Sequence, residues 1–426
     1  MVEGGMVSSS HSARWKAFLC LALLAGVFLV PVSTSAGPPD KWALWTGSTQ
    51  LRGANIYQRR VYPELDGRIF LGPGPFGPPY TQGDFHRLAA LGANYVNISH
   101  PGLFTESPPY RLDPAAQANL DRLLGMAEAA GLYAVISFRT GPGRSEFTFM
   151  LGDLGDWFTE EYLNDSVWGD PRAQAAWAEM WKYTAQRYSG SSVVVGYDLM
   201  VEPNSNEVGS DFIHDRLDIW DPEEFYARYS GSLYDWNQFY PAIVAAIREV
   251  DRETPILVGA MAYSAVDWLP YLIPTADPRT VYTVHQYAPF VYTHQEPYAQ
   301  GYTYPGRFDT DWDGIPDDFD RGWLEEVLST VDEFVSAHGV PVAINEFGVV
   351  RWAPGADRFL EDQIALFEAR GLNWALWAWE PSWPPWEREV TAFNFRLGPD
   401  PENHTSVNSP LLETIRRYWS LNSIRP

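Results

Sequence analysis

Short apolar runs bounded by turn residues recur along the chain. Between them lie longer stretches in which apolar positions return every three or four residues. The short runs predict strands at Leu51–Asn55, Tyr95–Ser99, Tyr133–Phe138, Val193–Val201, Pro255–Gly259, Val281–His285, Val342–Asn345 and Trp374–Trp379. The longer stretches predict helices over Gln82–Leu91, Pro114–Ala130, Ala173–Tyr188, Trp236–Val250, Gly322–Ala337 and Ala356–Ala369. A shorter segment, Ala265–Leu272, follows the fifth strand, and Pro410–Leu421 closes the chain. Eight strands alternating with helices predict an α/β fold, a (β/α)8 TIM barrel over residues 37–426 with long loops on its catalytic face. A doubly wound sheet is the alternative, but no Gly-rich phosphate turn follows the first strand.

Strands this uniformly apolar are buried on both faces, so a charged residue at a strand end stands out. Glu202 follows the run Val193–Val201, and Glu346 follows Val340–Asn345. Burying a carboxylate is unfavourable without a purpose or a partner. The bland explanation is an ion-paired structural glutamate. Two such residues on separate strands instead suggest paired acid/base and nucleophile chemistry. The carboxyl ends of the other strands carry Arg52, Asn55, His100, Arg139, His285, Tyr287 and Trp379, and Asn204 follows Glu202 closely. Asn55, His100, Arg139, Asn204, His285, Tyr287 and Trp379 are therefore candidate substrate contacts. The loops Gly141–Trp157 and Tyr287–Tyr304, rich in Gly, Pro and aromatics, are long enough to build a cleft over them.

Charge narrows the partners. The 426 residues carry a formal net charge of -24, with no basic face visible, which excludes nucleic acid and anionic membrane as partners. Aromatics make up 15% of the chain and include 19 Trp, which suits stacking on flat sugar faces as well as core packing. The single Cys, Cys20, excludes an internal disulfide and a Cys-based metal site. It lies in an N-terminal segment where Arg14 and Lys16 precede the apolar stretch Ala17–Val32 and the small residues Ser33-Thr34-Ser35-Ala36. That pattern predicts a signal peptide over residues 1–36, a secreted or periplasmic protein, and no stable membrane anchor after cleavage.

A second motif is independent of the strands. Asp309-Thr-Asp311-Trp-Asp313-Gly314-Ile315-Pro-Asp317-Asp-Phe-Asp320 matches a calcium loop, with acids at positions one, three, five, nine and twelve. Gly314 stands at the turn, and Ile315 offers its carbonyl at position seven. A structural Ca2+ ion bound by Asp309, Asp311, Asp313, Ile315, Asp317 and Asp320 is expected. The alternative is a solvated acidic loop.

Several segments together resemble a known group. They are Leu51-Arg-Gly-Ala-Asn55, Leu91-Gly-Ala-Asn-Tyr-Val96, Arg139-Thr-Gly-Pro-Gly143, Gly196-Tyr-Asp-Leu-Met-Val-Glu-Pro-Asn204, Val284-His-Gln-Tyr-Ala-Pro289, Ile344-Asn-Glu-Phe-Gly348 and Trp374-Ala-Leu-Trp-Ala-Trp-Glu380. In order and spacing they resemble a clan A retaining glycoside hydrolase, closest to family five, the cellulase and mannanase family. The resemblance implies that Glu202 is the general acid/base and Glu346 the nucleophile. It places His285 and Tyr287 beside the nucleophile and Trp379 under the attacked sugar. It implies a monomer acting on a β-linked polysaccharide or oligosaccharide of the glucan or mannan type, with no cofactor for catalysis. Repulsion between the carboxyls is expected to raise Glu202, while Tyr287 holds Glu346 ionised. The chain departs from the family pattern at Val201, where the family has Asn, at Asn97, where it has Arg, and at Arg139, where it has His. Those departures motivate a competing expectation, a secreted carbohydrate-binding barrel without turnover.

Overall fold

Every apolar run forms a strand. The barrel consists of β1 (Arg52–Tyr57), β2 (Tyr95–Pro101), β3 (Tyr133–Thr140), β4 (Val194–Asp198), β5 (Ile256–Gly259), β6 (Thr280–Gln286), β7 (Val342–Phe347) and β8 (Asn373–Leu376). All neighbours pair in parallel, and β8 returns to β1, so the sheet closes. This is the expected (β/α)8 barrel. The computed structural model describes residues 40–208, 217–299, 301–383 and 391–426, without the side chains of 67–70. The leader expected at 1–36, with Cys20, lies outside them.

Seven longer helices surround the strands: α1 (Gln82–Ala90), α2 (Pro114–Ala129), α3 (Pro171–Tyr188), α4 (Trp236–Arg248), α5 (Arg321–His338), α6 (Ala356–Ala369) and α7 (Pro410–Trp419). Their starts are written locally. Asp113, Asp170, Asp235 and Asp320 each accept first-turn N–H groups that have no partner within the helix. The shorter segment after β5 is not an α-helix. Val266–Tyr271 is a 3-10 helix, and Pro270 inside it lacks the N–H an α-helix would use.

Side chains alternate between the inside of the barrel and the helices. The inner floor is apolar: Leu51, Tyr95, Tyr133, Val135, Val195, Leu257, Val281, Ala343 and Ala375. Trp45, in the short helix Ala43–Thr46, seals it by donating its indole N–H to the Val195 carbonyl at 2.9 Å. Trp42 and, from the other end of the chain, Ile424 also pack on this floor. Above the floor the interior turns polar. Asn55 Nδ2 donates to the Asn345 carbonyl at 2.9 Å, Asn97 Nδ2 to Asn55 Oδ1 at 2.7 Å, and Asn345 Nδ2 to Asp198 Oδ2 at 3.0 Å. Burial holds the Asp198 carboxyl up at about 6. This polar layer underlies the mouth of the barrel.

Most of the tryptophan richness is packing. Trp168, Trp177, Trp181, Trp236, Trp268, Trp374, Trp379 and Trp419 are fully buried. From α3, Trp177 and Trp181 both donate to the Leu199 carbonyl, at 3.1 and 2.7 Å. From α4, Trp236 donates to the Gly259 carbonyl at 3.0 Å. Helix is thereby fastened to strand exactly where each strand gives out. Among the described residues, no helix is long and apolar enough to cross a membrane.

Gly53 tests the closure. A Cβ there would lie 2.0 Å from the Tyr95 carbonyl oxygen, a backbone atom that cannot move aside. Gly53→Ala is expected to lower stability by about 1–3 kcal/mol in urea unfolding. An unchanged midpoint would mean that β1 and β2 do not pair in this register.

Candidate active site

Glu202 does not lie on its strand. The expected run to Val201 ends early, because β4 stops at Asp198 and the chain turns out of the sheet through Glu202 at φ +54°. A non-glycine residue held there is strained by about 1–3 kcal/mol and needs support. Arg144 supplies it. This fully buried arginine donates from Nη1 to the Val201 carbonyl at 2.7 Å and from Nη2 to the Glu202 carbonyl at 2.6 Å.

Glu346 reaches the mouth by a different device. Strict alternation along β7 points Ala343 and Asn345 inward and would turn Glu346 toward the helices. The pairing of β7 with β6 shifts between Ile344 and Glu346, so that Glu346 stands opposite His285. Such an irregularity re-aims a side chain, and consecutive residues Asn345 and Glu346 both serve the interior.

The two carboxyls meet at His285. Its Nδ1 lies 2.8 Å from Glu202 Oε1 and 3.7 Å from Glu346 Oε1, and one ligating atom from each of the three lies within 4.8 Å of the others. The Tyr287 hydroxyl donates to Glu346 Oε1 at 2.9 Å. Burial alone would drive His285 down, but the charges of Glu346, Glu202 and Asp198 raise it to about 9. The imidazolium therefore donates to Glu202. Three such ligands could gather a cation, but a protonated Nδ1 has no lone pair to give.

The two carboxyls are shifted in opposite directions. Burial pushes Glu346 up to about 7, helped by the charge on Glu202 and opposed by His285, Arg139 and Tyr287. Burial also disfavours ionised Glu202, but the His285 hydrogen bond, with Arg139 and Arg144, outweighs it and holds that carboxyl below its ordinary range. The reason is positional: the imidazolium lies on Glu202, not on Glu346.

Of the candidate contacts, His285, Tyr287 and Arg139 surround the pair, and four need correction. Asn55 is sealed in the polar layer beneath it. His100 points outward, as alternation with Asn97 and Ser99 requires, and is buried against Asn119 of α2, 3.0 Å away; burial lowers it to about 4. Asn204 is fully buried and committed to Arg144 at 3.0 Å and to the Tyr263 hydroxyl at 3.2 Å. Trp379 is buried, with the Arg396 guanidinium 4.1 Å from its ring centre. The strand ends at Leu376, and the alternation that would place Trp377 and Trp379 on one face ends with it. The half-buried Trp377 holds the open place instead, edge-on to Tyr57 at 5.9 Å.

Sequence reasoning missed Arg144, Glu146, Tyr57 and Trp377. Glu146 Oε1 accepts from Arg139 Nε and from the Tyr57 hydroxyl, both at 2.8 Å. Tyr57 carried a signal, since it stands two residues beyond Asn55 on the same face. Two arginines and a glutamate within eight residues of an aromatic loop were another.

The acidic loop is the tip of a hairpin formed by Gly306–Phe308 and Asp317–Phe319. Asp309, Asp311 and Asp313 bring oxygens within 4.8 Å of one another. Asp317 and Asp320 stand outside that group. Asp317 accepts from the Thr310 hydroxyl and N–H at 2.5 and 3.2 Å, and Asp320 caps α5 through the Gly322 N–H at 2.7 Å. These bonds use one oxygen of each carboxylate, Oδ2 of Asp317 in the turn and Oδ1 of Asp320 at the helix cap. Ile315 is exposed, and its N–H donates to Asp313 at 2.7 Å.

Comparison with known proteins agrees with this architecture. A family model described as Cellulase (glycosyl hydrolase family 5) matches residues 64–382. Endoglucanase C of Acetivibrio thermocellus is 22% identical over 325 residues, covering 70% of this chain and 83% of that protein. Cellodextrinase A of Ruminococcus flavefaciens is 24% identical over 269 residues, 63% of this chain and 68% of that one. Among solved structures, endoglucanase Cel5A from Thermotoga maritima superposes with a TM-score of 0.58 at 20% identity, over 88% of this chain and 99% of that one.

The raised Glu346 carboxyl makes a stability prediction. Its folded value of about 7 exceeds the ordinary 4.5, so between these values the folded chain holds a proton that the unfolded chain has lost. Stability attributable to this group therefore falls as pH rises through that window. Glu346→Gln is expected to flatten the slope of unfolding free energy between about pH 4.5 and 6.5. Parallel slopes for wild type and variant would place the proton elsewhere.

Proposed function

The chain belongs to the cellulase family, glycosyl hydrolase family 5, and is a β-glycoside hydrolase; from that premise we propose cleavage of a β-linked glucan or mannan by double displacement with retention. The observation that carries this is the separation of the two glutamates. His285 Nδ1 lies 2.8 Å from Glu202 Oε1 and 3.7 Å from Glu346 Oε1, so the two carboxyls face each other across a gap spanned by one imidazole, close enough for one to attack a carbon whose leaving oxygen the other protonates. The glycan class is supported by the relatives, which include endoglucanases and a Thermotoga maritima Cel5A solved with cellobiose and with mannotriose.

In this reading Glu346 attacks the anomeric carbon while Glu202 protonates the departing oxygen. The reactive form has Glu202 neutral and Glu346 ionised, and the short gap, with His285 contacting both groups, keeps proton exchange between them local. Tyr287 and Arg139 then stabilise the bared Glu346. After the leaving group departs, Glu202 takes a proton from water, which hydrolyses the glycosyl-enzyme. Trp377, not Trp379, offers the half-open aromatic face for the attacked sugar.

We also propose export, with residues 1–36 removed, and a calcium ion held by Asp309, Asp311, Asp313 and the Ile315 carbonyl. The N-terminal residue of protein recovered outside the cell tests the first. For the second, chelation is expected to lower the melting temperature while activity falls less, because an ion bound only by the folded chain stabilises it by mass action. A melting curve unmoved by chelator leaves only an acidic hairpin.

The kinetic test separates the two glutamates. Glu346→Gln is expected to abolish turnover of every substrate. Glu202→Gln is expected to fail on natural glycans yet still form the glycosyl-enzyme from an aryl glycoside whose leaving group needs no proton. Azide is expected to rescue Glu202→Ala with a β-glycosyl azide as product. Full activity in either Gln variant, or an α-configured azide, removes the double displacement.

A further inference from the structure

The position before Glu202 is Val201, a buried side chain with no donor to offer a sugar. A retaining glycosidase gains much of its transition-state stabilisation from hydrogen bonds to the hydroxyl beside the attacked carbon. Asn55, Asn97, Asn345 and Asn204 are all spent on protein partners. Of the two arginines beside Glu202, Arg144 spends both Nη atoms on backbone carbonyls.

Arg139 differs from all of them. Alternation along β3 turns it inward after Tyr133, Val135 and Ser137. Its Nε is fixed on Glu146 at 2.8 Å. Its guanidinium is clasped between rings, with Cζ 3.8 Å from the Phe149 centre and 5.1 Å from the Tyr57 centre. Tyr57 in turn meets Trp377, the open ring of the mouth. Both Nη atoms of Arg139 have no hydrogen-bond partner among the described residues, and neither is sealed from solvent. The Val201 N–H donates to the Phe138 carbonyl at 2.9 Å, so Arg139 stands next to the turn that carries Glu202, and its charge acts on both Glu202 and Glu346.

We infer that Arg139 is the specificity-determining donor of the site, gripping through its Nη groups the hydroxyl next to the attacked carbon and that hydroxyl's neighbour. The inference rests on the proposed glycosidase reading. A guanidinium presents parallel N–H groups in a fixed plane, which fits a vicinal pair of oxygens. Glu146 already balances its charge, so the ligand is a neutral diol and not a uronate. The anchoring at Nε and the flanking rings fix the fork before substrate arrives, so little ordering remains for the transition state to supply.

The test compares an aryl β-glycoside that the wild type hydrolyses with its 2-deoxy counterpart. Arg139→Met is made together with Glu146→Gln, so that no buried carboxylate is stranded, and Glu146→Gln alone is the reference. Arg139→Lys keeps a point charge without the fork. The ratio of kcat/KM for the hydroxylated over the deoxy substrate is expected to fall by about tenfold or more in the Met variant, through kcat rather than KM, and less in the Lys variant. The deoxy substrate is expected to slow too, because the Met variant also loses the charge that steadies ionised Glu346, but by less than the hydroxylated substrate. Equal slowing on both substrates makes Arg139 a support of its loop and overturns the inference, as does a wild-type preference for uronates. A wild type inactive on every aryl β-glycoside, measured first, removes the glycosidase reading itself.

Discussion

Two carboxyl groups within 4.8 Å in a buried mouth cannot both carry charge without a cation at hand, and the site is arranged around that limit. His285 lies on Glu202, Arg139 and Arg144 flank the pair, and Tyr287 donates to Glu346. Each of these groups needs its own support. Arg139 leans on Glu146, which also receives Tyr57; His285 stands above Asp198, which Asn345 holds. The polar layer inside the barrel is thus the foundation of the charge arrangement above it. The apolar floor below keeps water from entering underneath.

The barrel was legible because periodicity and length carry it. All eight strands and the seven longer helices followed from apolar spacing, whereas the short helices Pro63–Phe70 and Pro222–Tyr229 did not. Glu202, Glu346, His285 and Tyr287 were legible because charged and polar residues at the ends of apolar strands are conspicuous. What failed did so where strand alternation, the rule used to place side chains, is broken or was not applied. His100 was taken as a strand-end residue, although its neighbours Asn97 and Ser99 already claim the inner face. Trp379 was placed by extending β8 beyond Leu376, where the strand has ended. Glu346 faces the mouth only through a shift in pairing that no periodicity reveals.

Arg144 was invisible for a different reason. It touches no substrate position and lies on no strand, and its task is to accept a backbone geometry that arises only once Glu202 adopts a positive φ. Asp317 and Asp320 show the converse. Their spacing fits a metal loop, and the same carboxylates each give one oxygen to a turn or a helix cap. Spacing describes what residues could do together, and competition among nearby partners decides what they do.

The packing of Trp42 and Ile424 on the barrel floor brings both ends of the described chain to the side opposite the mouth. Attachment through either end, to a carrier, a surface or a further domain, leaves the cleft facing outward and unobstructed. A glycan can then reach the mouth while the tether stays below. Because the ends lie on one surface, joining them and opening the chain at an exposed loop elsewhere would preserve the barrel, which makes the scaffold suited to circular permutation.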